Sequence, residues 1–204
     1  MYFVLFISIA LLSWSVSALL DHRFKKYAQV YLPMTGREVA EKMLRDNDIY
    51  DVQVTCTPGH LTDHYDPRNK TVNLSEEVYN SNNVAAAAVA AHECGHAIQH
   101  AFAYGPLNMR SALVPVVKFA SQWVTWILLG GILMVETFPQ LLLIGIILYA
   151  LTTLFAFITL PVEINASRRA IAWLERAGIT DYQTTPMASA ALRSAAYTDR
   201  KSVV

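Results

Sequence analysis

Long uncharged runs alternate with polar stretches along this chain, and their lengths predict its elements. Tyr2 to Leu20 holds nineteen residues without a charge, which at about 1.5 Å rise per residue nearly spans a hydrocarbon core of about 30 Å. Phe119 to Val135 is a second, shorter run with Trp123 and Trp126 near its start, and Leu141 to Leu160 is a third, twenty residues long. The connector Glu136-Thr137-Phe138-Pro139-Gln140 is tight enough to make the last two a helical hairpin.

The polar segment between the first two spans has its own periodicities. Thr35-Gly36-Arg37-Glu38 has the form of a capping box and predicts a helix to about Arg45, with Val39, Met43 and Leu44 on one face. Asp51 to Cys56 alternates, with Val52, Val54 and Cys56 on one side, as does Thr71 to Leu74, so these two stretches are expected to form a β-hairpin. Between them Thr57 to Asn69 is a long loop carrying His60, Asp63, His64, Tyr65 and Asp66. Ser75 reads as the N-cap of a short helix opened by Glu76 and Glu77. Val84 to Ala101 is a helix rich in alanine, a composition that suits close approach to neighbouring elements. The fold class expected is a mainly α membrane protein with a small β-hairpin and about three transmembrane helices.

Composition and charge sharpen this. The chain has 204 residues, 54% of them hydrophobic, which is too apolar for an ordinary soluble domain. Its 16 basic and 16 acidic residues balance, so no global field argues for nucleic acid. The two cysteines, Cys56 and Cys94, have no paired spacing and argue against a disulfide-stapled module. The first span lacks a basic leader and ends in Leu19-Leu20-Asp21-His22-Arg23, which reads as an uncleaved anchor in the lipid bilayer. Arg23, Lys25 and Lys26 follow the first span, Arg110 and Lys118 precede the second, and Arg168 and Arg169 follow the third. Basic flanks stay on the cytoplasmic side. Segment 21–118 and the C-terminal tail are therefore expected to face the cytoplasm from the plasma (inner) membrane.

His92-Glu93-Cys94-Gly95-His96 is an HExxH pattern lying within the alanine-rich helix. Residues i and i+4 share a helix face, so both imidazoles can reach one Zn²⁺, while Glu93 sits alongside, where a carboxylate can serve as base toward an activated water. The bland alternative is a polar face on an ordinary helix. Its weakness is placement, because three histidines and a glutamate interrupt a helix otherwise made of Ala, Val and Ile. His100 is eight residues from His92, about 12 Å along the axis, too far to share that metal. Gln99 and Phe102 stand where a metzincin needs glycine and histidine, which excludes that class. The candidate third ligand is Glu163, one turn beyond the last span; an interfacial anchor or a partner for Arg168 is the competing role. For a donor toward a tetrahedral oxygen the candidates are His64 and Tyr104, against turn and hydrogen-bonding roles for the 57–69 loop. Cys94 reads as packing.

With these residues in view the chain resembles the YugP-like family of small membrane-bound neutral zinc metallopeptidases. The resemblance rests on the N-terminal span, Gly59-His60-Leu61-Thr62-Asp63-His64-Tyr65-Asp66-Pro67, Leu74-Ser75-Glu76-Glu77-Val78-Tyr79-Asn80, the HExxH helix, Arg110-Ser111-Ala112-Leu113-Val114-Pro115 and Leu160-Pro161-Val162-Glu163. It implies a gluzincin-like peptidase with His92, His96 and Glu163 as zinc ligands, Glu93 as base and a polypeptide substrate. Two departures stand out. Members usually continue into another hydrophobic helix after Arg168–Arg169, where this chain has only an alanine-rich stretch from Pro186 to Tyr197. Asn165-Ala166-Ser167 also lacks the carboxylate that many gluzincins place four residues after the ligand glutamate, which leaves His100 as a candidate supporting group.

The expected organisation is an anchor at 2–20, a zincin-like catalytic segment at 21–118, a transmembrane hairpin at 119–160 and a helical segment at 161–204 carrying the third ligand. The competing class is a non-enzymatic scaffold or adaptor stabilised by zinc, which would have no need of Glu93. Orientation is open to direct measurement. In a chain with Cys56 and Cys94 replaced by alanine, Asp48→Cys is expected to resist an impermeant thiol reagent on intact cells and to react after lysis; labelling from outside overturns the assignment.

Overall fold

The structure is a computed structural model that describes residues 25–60 and 62–198, with side chains to Arg193, and five scattered positions between 7 and 18. The anchor expected at 2–20 otherwise lies outside the described residues. The described elements are helix α1 (Gly36–Asp46), strands β1 (Gln53–Thr57), β2 (His64–Asp66) and β3 (Thr71–Ser75), and helices α2 (Glu76–Asn80), α3 (Val84–Ala101), α4 (Gly105–Leu133), α5 (Pro139–Arg176) and α6 (Thr184–Thr198). The protein is thus mainly helical with one small sheet. Two compact units divide it, one from residues 1–101 with 165–200 and the other from 102–164.

In the first unit α1 starts as its sequence dictates. The Glu38 amide donates to the Thr35 hydroxyl at 3.3 Å while the Thr35 amide donates to the Glu38 carboxylate at 2.8 Å, a complete capping box. The helix buries Val39, Ala40, Met43 and Leu44. Helix α3 is buried on nearly every side, from Val84 to Ala91 and again from Glu93 to Gln99. Alanine makes that possible, because a helix without bulky side chains lets neighbours approach from all directions. The core joins α1 and α3 to Ala170, Trp173 and Leu174 of α5 and to Ala188, Ala191 and Leu192 of α6.

The expected hairpin is replaced by a mixed sheet. Strands β1 and β3 do pair, with Val54 opposite Val72 and Cys56 opposite Leu74, but they run parallel. A tight turn cannot connect parallel strands. The segment after β1 makes the crossover and contributes β2, which pairs antiparallel to β3 with Tyr65 opposite Val72. The order β1-β3-β2 puts β3 in the centre, and its Val72 and Leu74 are wholly buried.

The second unit is a helical hairpin. Helix α4 covers 29 residues and α5 covers 38, each longer than the apolar run it contains, and both are long and apolar enough to cross a membrane by length and composition. The tight connector closes with the Phe138 amide donating to Met134 O at 2.7 Å. The two helices approach at Gly131, where an added Cβ would sit 2.6 Å from Leu142 Cα. Small residues allow this kind of approach between apolar helices. Phe119, Trp126, Leu133, Leu143, Ile147 and Phe157 remain exposed.

In the first unit the same economy of space recurs at Gly95, where an added Cβ would lie 2.8 Å from the carbonyl oxygen of Ala166 on α5. Backbone cannot yield as a flexible side chain can. Gly95→Ala is expected to destabilise the protein by about 1–3 kcal/mol, measured as a fall in chemical or thermal denaturation midpoint in detergent; an unchanged midpoint would show that α3 and α5 can separate at no cost.

Candidate metal centre

Helix α3 sets the two histidines one turn apart, and their rings lie edge to face with centroids 4.7 Å apart. His96 and Glu93 are each 8% exposed, so the polar cluster sits inside the fold on a helix whose first two turns are wholly alanine and valine. Cys94 points to the opposite neighbour, its Sγ 3.6 Å from Ala40 O on α1. Burial drives its thiol pKa upward and the nearby Glu93 charge adds to the shift. A thiol held protonated in this way is a packing group.

The orientation of His96 can be traced from a donor that has no alternative role. The Arg169 guanidinium can only donate, and its Nε donates to Asn165 Oδ1 at 2.8 Å. Gln99 Nε2 donates to the same oxygen at 3.0 Å, which turns Gln99 Oε1 toward His96 Nδ1 at 3.1 Å. That oxygen can only accept, so the proton of a neutral His96 ring belongs on Nδ1 and Nε2 carries the lone pair. His92 Nδ1 lies 3.1 Å from Ser167 Oγ on α5, a hydroxyl that can accept from it or donate to it. Both imidazoles thus have Nδ1 engaged by an outer partner.

Glu163 stands four residues before Ser167, on the same face of the uninterrupted helix α5. Its place therefore follows from the stretch of α5 that already contacts α3. Ligand atoms of His92, His96 and Glu163 lie within 4.8 Å of one another. Two imidazoles and one carboxylate form the donor set of catalytic zinc sites of the His₂Glu type, and the His96 tautomer just traced suits it. The residues present fit a zinc ion.

The long loop is occupied with holding itself together. His64 Nδ1 donates to Thr62 O at 2.7 Å and its Nε2 accepts from Asn73 Nδ2 at 3.2 Å, which commits both ring nitrogens on an exposed side chain. Asp63 accepts from the Ser75 amide at 2.8 Å and from its hydroxyl, so a residue of the loop caps the start of α2 in place of Ser75 itself. Burial raises the Asp63 pKa, and the Ser75 hydrogen bonds oppose that shift. The Tyr65 hydroxyl pairs with His100 Nδ1 at 3.1 Å. His100 is thus directed to the sheet, and support for the two imidazoles comes instead from Ser167 and Gln99. Tyr104 lies at the start of α4, where its carbonyl accepts from the amides of Leu107 and Asn108.

Two histidines of a buried helix, with a carboxylate of a second helix beside them, form a group that could hold a metal ion. Comparison with known proteins makes the assignment specific. Residues 2–200 match the family described as "Putative neutral zinc metallopeptidase", and the chain belongs to that family. It is 44% identical over 170 residues, 81% of this chain and 75% of the relative, to "Putative membrane protease YugP" of Bacillus subtilis (strain 168). No solved structure matches the chain.

Sequence reasoning passed over Gln99, Asn165, Ser167 and Arg169 as site residues. Gln99 sits three residues after His96, a spacing that does place two side chains together on a helix. Asn165 and Ser167 carry no such local signal, since their partners lie 66 and 75 residues away. Ser167→Ala is expected to weaken zinc binding about 10-fold, at the lower end of the range for such outer partners. Competition with a chromogenic chelator checks this; unchanged affinity would mean that packing alone orients His92.

Proposed function

We propose that this protein is a membrane-embedded zinc endopeptidase in which His92, His96 and Glu163 hold the metal and Glu93 is the general base. The observation that carries the reading is the pair of contacts, from Gln99 and Ser167, that engage Nδ1 of both α3 histidines and so fix which way each ring is turned. A polar face with no metal to hold has no need of two imidazoles turned to present the same nitrogen. Zinc, when bound, supplies Lewis acidity that polarises a peptide carbonyl and lowers the pKa of a water.

The chain's own residues do the rest. Glu93 lies one residue after His92 on α3 and is largely withdrawn from solvent. From there its carboxylate takes a proton from the attacking water and passes it to the amine nitrogen as the peptide bond breaks. Gln99 and Ser167 keep the imidazoles from turning. None of these roles draws on His64, whose ring nitrogens are already bound to Thr62 and Asn73.

Membrane insertion is supported by the exposed apolar faces of α4 and α5 and by the length of α5. Its 38 residues extend about 57 Å, against a hydrocarbon thickness of about 30 Å. Residues 141–160 fill the bilayer and the rest of the helix emerges with Glu163, Arg168 and Arg169. Those arginines place the emerging end on the cytoplasmic side of the plasma membrane. Substrates are then polypeptides at the membrane surface, in juxtamembrane or unfolded segments.

The test is cleavage of a diverse pool of unfolded peptides by the purified chain in detergent. Glu93→Gln is expected to abolish turnover while zinc remains bound, and Glu163→Ala to abolish zinc retention in a folded protein. Cleavage surviving in Glu93→Gln, or full zinc occupancy in Glu163→Ala, would remove the respective residue from its role.

A further inference from the structure

Within the α4–α5 hairpin one cation has a position its surroundings do not explain. Arg110, near the start of α4, sets its Nη2 3.7 Å from Glu163 Oε1, with the two side chains 28% and 25% exposed. Its Nε is buried and has no hydrogen-bond partner among the described residues. A guanidinium is ordinarily placed where its fork of donors can be used or hydrated. Here most of it is withdrawn from water with one donor unused, and the interaction offsetting that cost is the charge of Glu163.

The gap of 3.7 Å exceeds a hydrogen bond, so the pair is a charge contact, not a bidentate clamp. Such a contact draws one carboxylate oxygen toward the cation so that the other can be directed elsewhere. That is what a carboxylate needs if it is to stand beside two imidazoles with one oxygen turned to them.

We infer that Arg110 is a positioning residue, an outer partner that holds Glu163 aimed for metal binding. This rests on the reading of Glu163 as the third ligand. It supplies on α4 the support for Glu163 that Gln99 and Ser167 supply for the histidines, so that each of the three ligands is oriented from a different element or turn.

Zinc affinity of the full chain in detergent, measured by chelator competition, tests it in six proteins: the parent, Arg110→Gln, Arg110→Lys, Glu163→Gln and the two double variants. Arg110→Gln is expected to weaken zinc binding about 10- to 100-fold, Arg110→Lys by less because it keeps the charge, and Arg110→Gln is expected to add no further loss once Glu163 is already Gln. Parent-like affinity in Arg110→Gln, or an equal loss in both backgrounds, overturns the inference. Should Arg110→Gln fail to fold, Arg110→Lys decides: a loss that vanishes in the Glu163→Gln background supports the role and unchanged affinity overturns it. Full affinity in Glu163→Gln alone removes Glu163 from the metal and Arg110 with it, whereas loss in Glu163→Gln with none in Arg110→Gln removes Arg110 only.

Discussion

The approach of α3 to the last third of α5, backbone against backbone at Gly95 and Ala166, is the constraint on which the centre depends. An added Cβ at Gly95 would come within 2.8 Å of Ala166 O, so the two helices meet with no side chain between them at that point. Everything polar in the centre is short-range and requires this distance. Ser167 reaches His92 from one residue beyond the contact and Asn165 reaches Gln99 from one residue before it, at 3.1 and 3.0 Å. Alanine at 85–88, 90, 91 and 97 extends the same logic along α3, which can be surrounded by α1, the sheet and α6 because it projects so little itself. The site is rigid because its scaffold is small-residue packing, where displacement by a few tenths of an ångström meets hard repulsion.

The outer partners of the histidines are neutral. Many metal-bound imidazoles donate to a carboxylate, which orients the ring and also makes it a stronger donor. Here a serine hydroxyl and a glutamine amide orient the rings without adding negative charge, and the direction of the glutamine is itself dictated by Arg169 through Asn165. The negative charges near the histidines are then those to which the proposed function gives chemical roles, Glu93 and Glu163. The sequence Asn165-Ala166-Ser167, which lacks the carboxylate that many gluzincins place four residues after the ligand glutamate, reads differently once its side chains are seen to serve two separate histidines.

How much of this could be read from the chain depended on the range of the interactions. The capping box at Thr35 and the helix carrying His92 and His96 were legible because their determinants lie within a few residues. The pairing of Val54 with Val72 and of Cys56 with Leu74 was legible as alternation, but its direction was not, since a period of two says nothing about whether a partner runs parallel or antiparallel. What reversed the expected hairpin was β2, three residues inside a segment that looked like a loop because it is rich in Asp, His and Pro. The loop's His64 suggested chemistry by its type, whereas its hydrogen bonds to Thr62 and Asn73 are of the kind any exposed turn residue makes. The residues that do orient the site, Gln99, Asn165 and Ser167, are of types too common to attract notice in one dimension.

Helix α5 joins the two halves of the problem, because a single uninterrupted helix carries both the most apolar run of the chain and the carboxylate assigned to the metal. Pro161 lies between them. A proline there removes the amide that would bond the carbonyl of Phe157, and its ring crowds that carbonyl, yet the helix continues to Arg176. Continuity matters more than straightness. Had the helix ended at Leu160, Glu163 would sit on a connector free to rotate, and its azimuth relative to Ser167 would no longer follow from the 3.6-residue turn. With the helix intact, Glu163 and Ser167 stay on one face, so the register that seats Ser167 against His92 also brings Glu163 to the metal side. Under the proposed reading, with residues 141–160 in the bilayer and Glu163 on the metal, a force that slides or tilts α5 would act on the metal site, and the Gly95–Ala166 contact is what would resist it.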